Sequence, residues 1–134
     1  MSPQTEAVNE YNPKILVVDD EKRIRDSCHT VLTDEGYTVA CAESGSQGLE
    51  MIAREHFDII LLDLMMPQMS GLDVLPDIKA DHPDTVVIVI TGYSTVEHSI
   101  EAMKAGAFDF IPKPFSPKKL KGVVSKALEH TRAL

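Results

Sequence analysis

Tryptophan is absent, cysteine occurs twice, and aromatic residues make up only 5% of the chain. Cys28 and Cys41 form neither a CxxC pair nor a ligand-spaced set. Two lone thiols of this kind fit a reducing cytoplasm and serve as small core fillers. No apolar stretch approaches the ~20 residues that a membrane helix needs. No basic segment followed by an apolar one opens the chain, so neither secretion nor membrane insertion is expected. Cations are also scarce over most of the length: residues 1–100 hold six Lys and Arg against eighteen Asp and Glu. A net charge of −8 argues against nucleic acid as the main partner. Residues 101–134 reverse the balance, with seven cations and three acids. This basic third reads either as a solvated helix face or as a partner surface.

What is present fits one domain with one core: 134 residues, 43% hydrophobic and 25% charged. Residues 1–12 are polar and aperiodic and read as a loose tail, with a domain over 13–131 and an end or linker start at 132–134. Lys14–Val18, Tyr37–Cys41, the apolar run Ile59–Leu62, Val86–Ile90 and Phe108–Ile111 read as strands. Helices alternate with them. The first carries Ile24, Cys28, Val31 and Leu32 on one face and stops at Gly36. Ser44 with Gln47 makes a capping box for the second, which presents Leu49 and Ile52. The third starts at Gly71, faces Leu72, Leu75 and Ile78 inward, and holds Pro76, where a kink or loosened first turn is expected. Ser94 with Glu97 caps the fourth, whose buried stripe is expected to be Val96, Ile100 and Met103. Ser116 and Pro117 open the fifth, with Leu120, Val123, Val124, Ala127 and Leu128 at helical spacing. Strict alternation of this kind requires an α/β fold, a parallel sheet covered by helices on both faces. The expected arrangement is a doubly wound, five-stranded sheet of the flavodoxin-like (βα)5 type in the order 2-1-3-4-5, one of the two common doubly wound orders.

Ligands of such sheets bind outside the carboxyl ends of the strands. There the chain supplies Asp19 and Asp20 after the first strand, Asp63 after the third, Thr91 after the fourth and Lys113 after the fifth. Three neighbouring carboxylates repel, since two unit charges ~4 Å apart cost roughly 4 kcal/mol at an effective dielectric near 20. Such a cluster raises a pKa or binds a cation. Oxygen ligands alone, with no Cys or His nearby in sequence, suit a hard ion: Mg²⁺ first, Mn²⁺ second. Lys113 adds a positive charge, and a group drawn to both metal and ammonium is a phosphoryl group. Asp63 is then the candidate nucleophile, Lys113 and the metal stabilise equatorial charge, and the Thr91 hydroxyl donates to the new phosphate. His29, His56, His82, His98 and His130 are scattered and read as surface or helix-end residues. The six methionines read as core or gap filling, apart from Met65 and Met66, which border Asp63.

Val17-Val18-Asp19-Asp20, Asp63 with Met65-Met66-Pro67 and Gly71, Thr91-Gly92 and Lys113-Pro114 together resemble the receiver domain of bacterial response regulators, over about residues 13–131. The resemblance implies a cytoplasmic two-component switch phosphorylated on Asp63 by a sensor histidine kinase or phosphotransfer protein. It implies Mg²⁺ held by Asp20, Asp63 and the Met65 backbone carbonyl, with Asp19 acting through water, and a cis Lys113–Pro114 bond. Thr91-Gly92-Tyr93-Ser94-Thr95-Val96-Glu97, continuing to Ala105-Gly106-Ala107-Phe108-Asp109-Phe110, looks most like receivers of the nitrogen-regulator type, which precede a sigma-54-dependent ATPase domain and a DNA-binding domain. Two positions depart from the pattern. The switch aromatic, often tyrosine, is Phe110, so no hydroxyl anchors either state and the switch is expected to be less sharply biased. Met65 and Tyr93 offer no carboxylate or amide to orient a hydrolytic water, so a long-lived phosphate is expected. The face around Thr91 and Phe110, built from the fourth helix, fifth strand and fifth helix, is expected to control a phosphorylation-dependent homodimer or another output partner, with no membrane or direct nucleic-acid contact. A flavin carrier of similar topology is disfavoured because Asp19-Asp20-Glu21 would repel a phosphate at the first turn. A haloacid-dehalogenase-type phosphatase leaves Lys113-Pro114 unexplained.

Overall fold

A computed structural model describes residues 12–92 and 96–133. Nearly all of the expected tail, together with Tyr93, the Ser94 cap and Leu134, lies outside the described residues. Five strands alternate with five helices: β1 Lys14–Val18, α1 Lys22–Asp34, β2 Thr38–Ala42, α2 Gly45–Arg54, β3 Ile59–Asp63, α3 Gly71–Asp81, β4 Val86–Thr91, α4 Val96–Lys104, β5 Asp109–Pro112 and α5 Pro117–Ala133. All pairings are parallel and the order is β2-β1-β3-β4-β5, the expected one of the two common doubly wound orders.

Alternation of side chains along the strands divides the interior into two layers. Leu16, Val18, Ile60, Leu62, Val87 and Val89 pack against Ile52 of α2, Val74, Leu75 and Ile78 of α3, and Ala102 of α4. Ile15, Val17, Ile59, Leu61, Ile88 and Ile90 pack on the other side against Cys28 and Leu32 of α1 and Leu120, Val124 and Ala127 of α5. β3 and β4 are buried along their whole length, which is why they read as continuous apolar runs.

The helix ends follow from named residues. At the end of α1, Gly36 takes φ +93. Its N–H donates to Thr33 O at 2.9 Å, while Tyr37 N–H reaches Leu32 O at 3.2 Å. That pair of bonds is a Schellman stop, and it needs the left-handed conformation that glycine adopts without strain. Ser44 Oγ accepts from Gln47 N–H at 3.1 Å. The return bond of this capping box is shifted by one residue, because Gln47 Oε1 accepts from Glu43 N–H at 2.7 Å. Ser116 Oγ accepts from Lys119 N–H at 3.0 Å. α3 runs as one helix across Pro76, with Ser70 Oγ accepting from Leu72 N–H and donating to Leu64 O.

One expected face is reversed. Val96 is 73% exposed, and Ile100 and Met103 about half exposed. At 100° per residue these three share one side of α4, but the helix turns the opposite side inward, where Ala102 is buried and His98 and Ala105 are half-buried. Periodicity shows that a helix has an apolar face. It does not show that the molecule covers that face, and here small residues make the contact with the sheet layer. Met103 is accordingly not a core filler.

Candidate functional site

Parallel pairing brings four strand ends to one edge. Asp19 follows β1, Asp63 closes β3, Thr91 closes β4 and Lys113 follows β5. Asp63 stands opposite Ile90, one residue before Thr91. Thr91 stands opposite Pro112, with Lys113 N–H donating to Thr91 O at 2.8 Å. Among the described residues four polar side chains interrupt the apolar interior, and three of them, Asp19, Asp63 and Thr91, lie at this edge, 0%, 1% and 0% exposed; the fourth is Thr85. Asp20 is exposed.

Carboxylate oxygens of Asp19, Asp20 and Asp63 lie within 4.8 Å of one another. Lys113 Nζ lies among the acids, hydrogen-bonding Glu21 Oε1 at 3.0 Å and Asp63 Oδ2 at 3.4 Å. It is also 2.9 Å from Asp19 Oδ2. That last contact is an ion pair, with the ammonium as the partner of the buried Asp19 Oδ2. Asp19 Oδ1 accepts from Glu21 N–H at 2.8 Å, and Asp63 Oδ1 accepts from Met65 N–H at 3.0 Å.

The electrostatics follow from burial and crowding. Burial, aided by the Asp19 charge, pushes the Asp63 carboxyl up to about 6, against the pull of Met65 N–H and Lys113. Asp19 is raised too, again by burial, with Lys113 opposing. Burial alone would lower Lys113, but contact with Asp19 and Glu21 outweighs it and raises the ammonium above its ordinary value. Lys113 holds Glu21 below the usual carboxylate range. A crowded set of carboxylate oxygens, those of Asp19 and Asp63 buried and that of Asp20 exposed, with one ammonium fits a hard divalent cation. Among the described residues this cluster contains no soft ligand. The acidic set can therefore bind a metal.

All the sequence-predicted acids and the lysine converge. Thr91 closes the strand beside Asp63 with its residue fully buried. Phe110 is half-buried at the neighbouring edge of β5, packed against the layer of α2, α3 and α4. The Met65 side chain is 48% exposed beside the site. The Lys113–Pro114 bond is cis. Two participants were not singled out from sequence. Glu21 shares the Lys113 ammonium, and Arg25 Nη1 donates to Asp19 O at 2.8 Å. Helical spacing places Arg25 one turn beyond Glu21, but nothing in a sequence marks a carbonyl as its target.

Residues 15–125 match the family model of the response regulator receiver domain. The chain is 41% identical over 123 residues to the transcriptional regulatory protein ZraR of Escherichia coli, covering 92% of this chain and 28% of that protein. It is 40% identical over 124 residues to the alginate biosynthesis transcriptional regulatory protein AlgB of Pseudomonas aeruginosa, again covering 92% and 28%. The chain thus spans little more than a quarter of the length of these relatives. Among solved structures, a CheY-like receiver domain protein from Methanospirillum hungatei superposes with a TM-score of 0.89 at 33% identity, covering 92% of this chain and 98% of that one. NtrX from Brucella abortus gives 0.87 at 35% identity, covering 92% and 28%.

Proposed function

We infer the function from the premise that this chain belongs to the response regulator receiver domain family. A receiver is a regulatory phosphoacceptor domain, not an enzyme in the ordinary sense, and its membership implies a histidine kinase as partner. Beyond this, we assign the acceptor to Asp63. In the proposed step an Asp63 carboxylate oxygen attacks phosphorus, the N–P bond of a phosphohistidine breaks as the O–P bond forms, and the imidazole leaves. The observation that carries the assignment is Lys113 Nζ lying within 3.4 Å of both buried acids, Asp19 and Asp63.

Each residue then has a role. Lys113 neutralises charge on the transferred group, exchanging its contacts with Asp63 and Glu21 for phosphoryl oxygens. Met65 N–H holds Asp63 Oδ1, which orients the carboxylate. Thr91 donates its hydroxyl to the new phosphate. Asp20, Asp63 and the Met65 carbonyl would hold Mg²⁺ directly, with Mn²⁺ as substitute and Asp19 acting through water. When bound, the cation supplies relief of carboxylate repulsion and polarisation of phosphoryl oxygens. The chain thereby assists its own phosphorylation and dephosphorylation. Chelating the metal should abolish phosphorylation by acetyl phosphate, and re-adding Mg²⁺ should restore it; full phosphorylation in chelator would refute the cation's part.

Output follows from the exposed α4 face. Movement of Thr91 toward the phosphate opens space for Phe110, shifting an existing equilibrium at the α4-β5-α5 face. Val96, Ile100 and Met103 are exposed on α4, and Lys118, Lys119 and Lys126 line a groove with Asp109 along α5 and β5. We assign this surface to a phosphorylation-dependent homodimer. We place the domain over 13–131, as the cytoplasmic receiver of a transcription regulator of the nitrogen-regulator, sigma-54-activator type. Among the described residues, no helix is long and apolar enough to cross a membrane. Met65 has no side-chain oxygen or nitrogen to orient water, so the phosphate is long-lived; Met65→Asn should shorten its lifetime, and a lifetime of seconds unaltered by that change would contradict this.

A further inference from the structure

We propose that Arg25 is a positioning residue that aims Asp20 at the cation through the Asp19–Asp20 peptide group. The inference rests on the reading of the acidic cluster as a cation site and adds to it a residue outside that cluster. Arg25 sits on α1 with its side chain 16% exposed. Its Nη1 donates to the Asp19 carbonyl oxygen at 2.8 Å. That oxygen belongs to the peptide unit joining the two acids. The unit is planar, so a bond to its oxygen fixes the rotation of the whole link, including the amide from which Asp20 departs.

Asp19 is restrained without this bond. Its N–H donates to Ala42 O at 3.1 Å, its Oδ1 accepts from Glu21 N–H, and Lys113 lies against its Oδ2. Asp20 is different. It is exposed, and among the described residues no hydrogen bond or ion pair reaches its carboxylate, although its oxygen falls within the 4.8 Å cluster. The direction in which its side chain leaves the backbone is therefore set by the peptide that Arg25 holds.

A guanidinium suits the task because it is a rigid fork. While Nη1 holds the end of β1, Nη2 lies 3.7 Å from Glu43 Oε2, just past the end of β2. Glu43 is in turn tied to α2, through its N–H and Gln47 Oε1 at 2.7 Å. The Glu43 side chain is 72% exposed, so that ion pair is screened by water. The charge-assisted bond to the carbonyl does the positioning.

The test is calorimetric titration of the metal-free chain with MgCl₂, comparing wild type, Arg25→Met, Arg25→Lys and Glu43→Gln. Arg25→Met should weaken Mg²⁺ binding by about tenfold, the lower end of the range for lost outer-shell support. Arg25→Lys, which keeps a charged donor but not the rigid fork, should fall between it and wild type, and Glu43→Gln should bind as wild type does. In phosphorylation by acetyl phosphate, Arg25→Met should raise the Mg²⁺ concentration for half-maximal rate yet reach the wild-type rate at saturating Mg²⁺. A merely structural role would not produce that split. Wild-type Mg²⁺ affinity in Arg25→Met, with native circular dichroism, would overturn the proposal. So would a lower maximal rate with unchanged half-saturation. Should Arg25→Met fail to fold, Arg25→Gln decides by the same readouts. A wild-type chain that binds no Mg²⁺, or binds it no better than Asp20→Asn, would overturn the cation site and this proposal together. Equal binding by wild type and Arg25→Met overturns the role of Arg25 alone.

Discussion

Asp63 is held in a state that costs stability before any phosphoryl group arrives. Its folded carboxyl titrates near 6, against 3.8 in the unfolded chain. Between those values the folded state keeps a proton that the unfolded state has lost, so stability falls as pH rises through the window. The full penalty, about 3 kcal/mol for a shift of roughly two pKa units, is present above pH 6 in the metal-free chain. Asp63→Asn should accordingly raise the melting temperature without metal at pH 7, and the gain should fade as pH drops toward 4. A variant no more stable than wild type at pH 7 would show that the crowding is unimportant. Cys28 gives a second prediction at this scale. It is fully buried, and burial pushes its thiol up to about 12, so it should react with a thiol reagent only as fast as the fold opens. Prompt modification of Cys28 in the native protein would contradict this. Phe110→Tyr adds a hydroxyl to the aromatic proposed as the switch and should change the population of the active form; identical NMR shifts for the two variants, with and without a phosphoryl mimic, would count against that role.

Among the glycines, Gly71 at the start of α3 leaves the least room for a side chain. A Cβ at Gly71 would clash with the Asp63 carbonyl oxygen and lie 2.9 Å from Leu64 Cα. Since backbone atoms cannot swing aside, Gly71→Ala should destabilise the fold by about 1–3 kcal/mol and displace the acceptor carboxylate with it. A melting curve matching wild type would contradict this. The strands and the polar residues at their carboxyl ends were legible in the sequence for one physical reason. Buried parallel strands read as apolar runs, and a polar residue at the end of such a run, as at Asp19, Asp63 and Thr91, must serve something other than packing. The α4 face was misread because Val96, Ile100 and Met103 have core-like spacing, whereas the actual contact is made by Ala102. The Arg25 contact was illegible because its acceptor is a main-chain oxygen. The Gly36 stop, by contrast, could be read directly from the residue type and its place after an apolar periodic segment.

For the whole molecule, charge is segregated: acidic strand ends at one edge, and lysines 118, 119 and 126 along α5. α4 and α5 cover opposite faces of the sheet, and edge strand β5 lies between the exposed α4 residues and the groove. If this surface joins two phosphorylated copies, sedimentation should show a monomer without, and a dimer with, a phosphoryl mimic and Mg²⁺. Ile100→Glu should keep the mimic-bound chain monomeric, because it puts a charge into the apolar centre of the patch. An unchanged monomer in the wild type would reject the dimer while leaving the acceptor site intact.

The acceptor itself is tested most directly by intact-mass and peptide mass spectrometry after incubation with acetyl phosphate and Mg²⁺. The account predicts one phosphoryl group per wild-type chain, located on Asp63, and none on Asp63→Asn. Phosphorylation of Asp63→Asn to the wild-type extent, or none on a folded wild-type chain with Mg²⁺ bound, would contradict it.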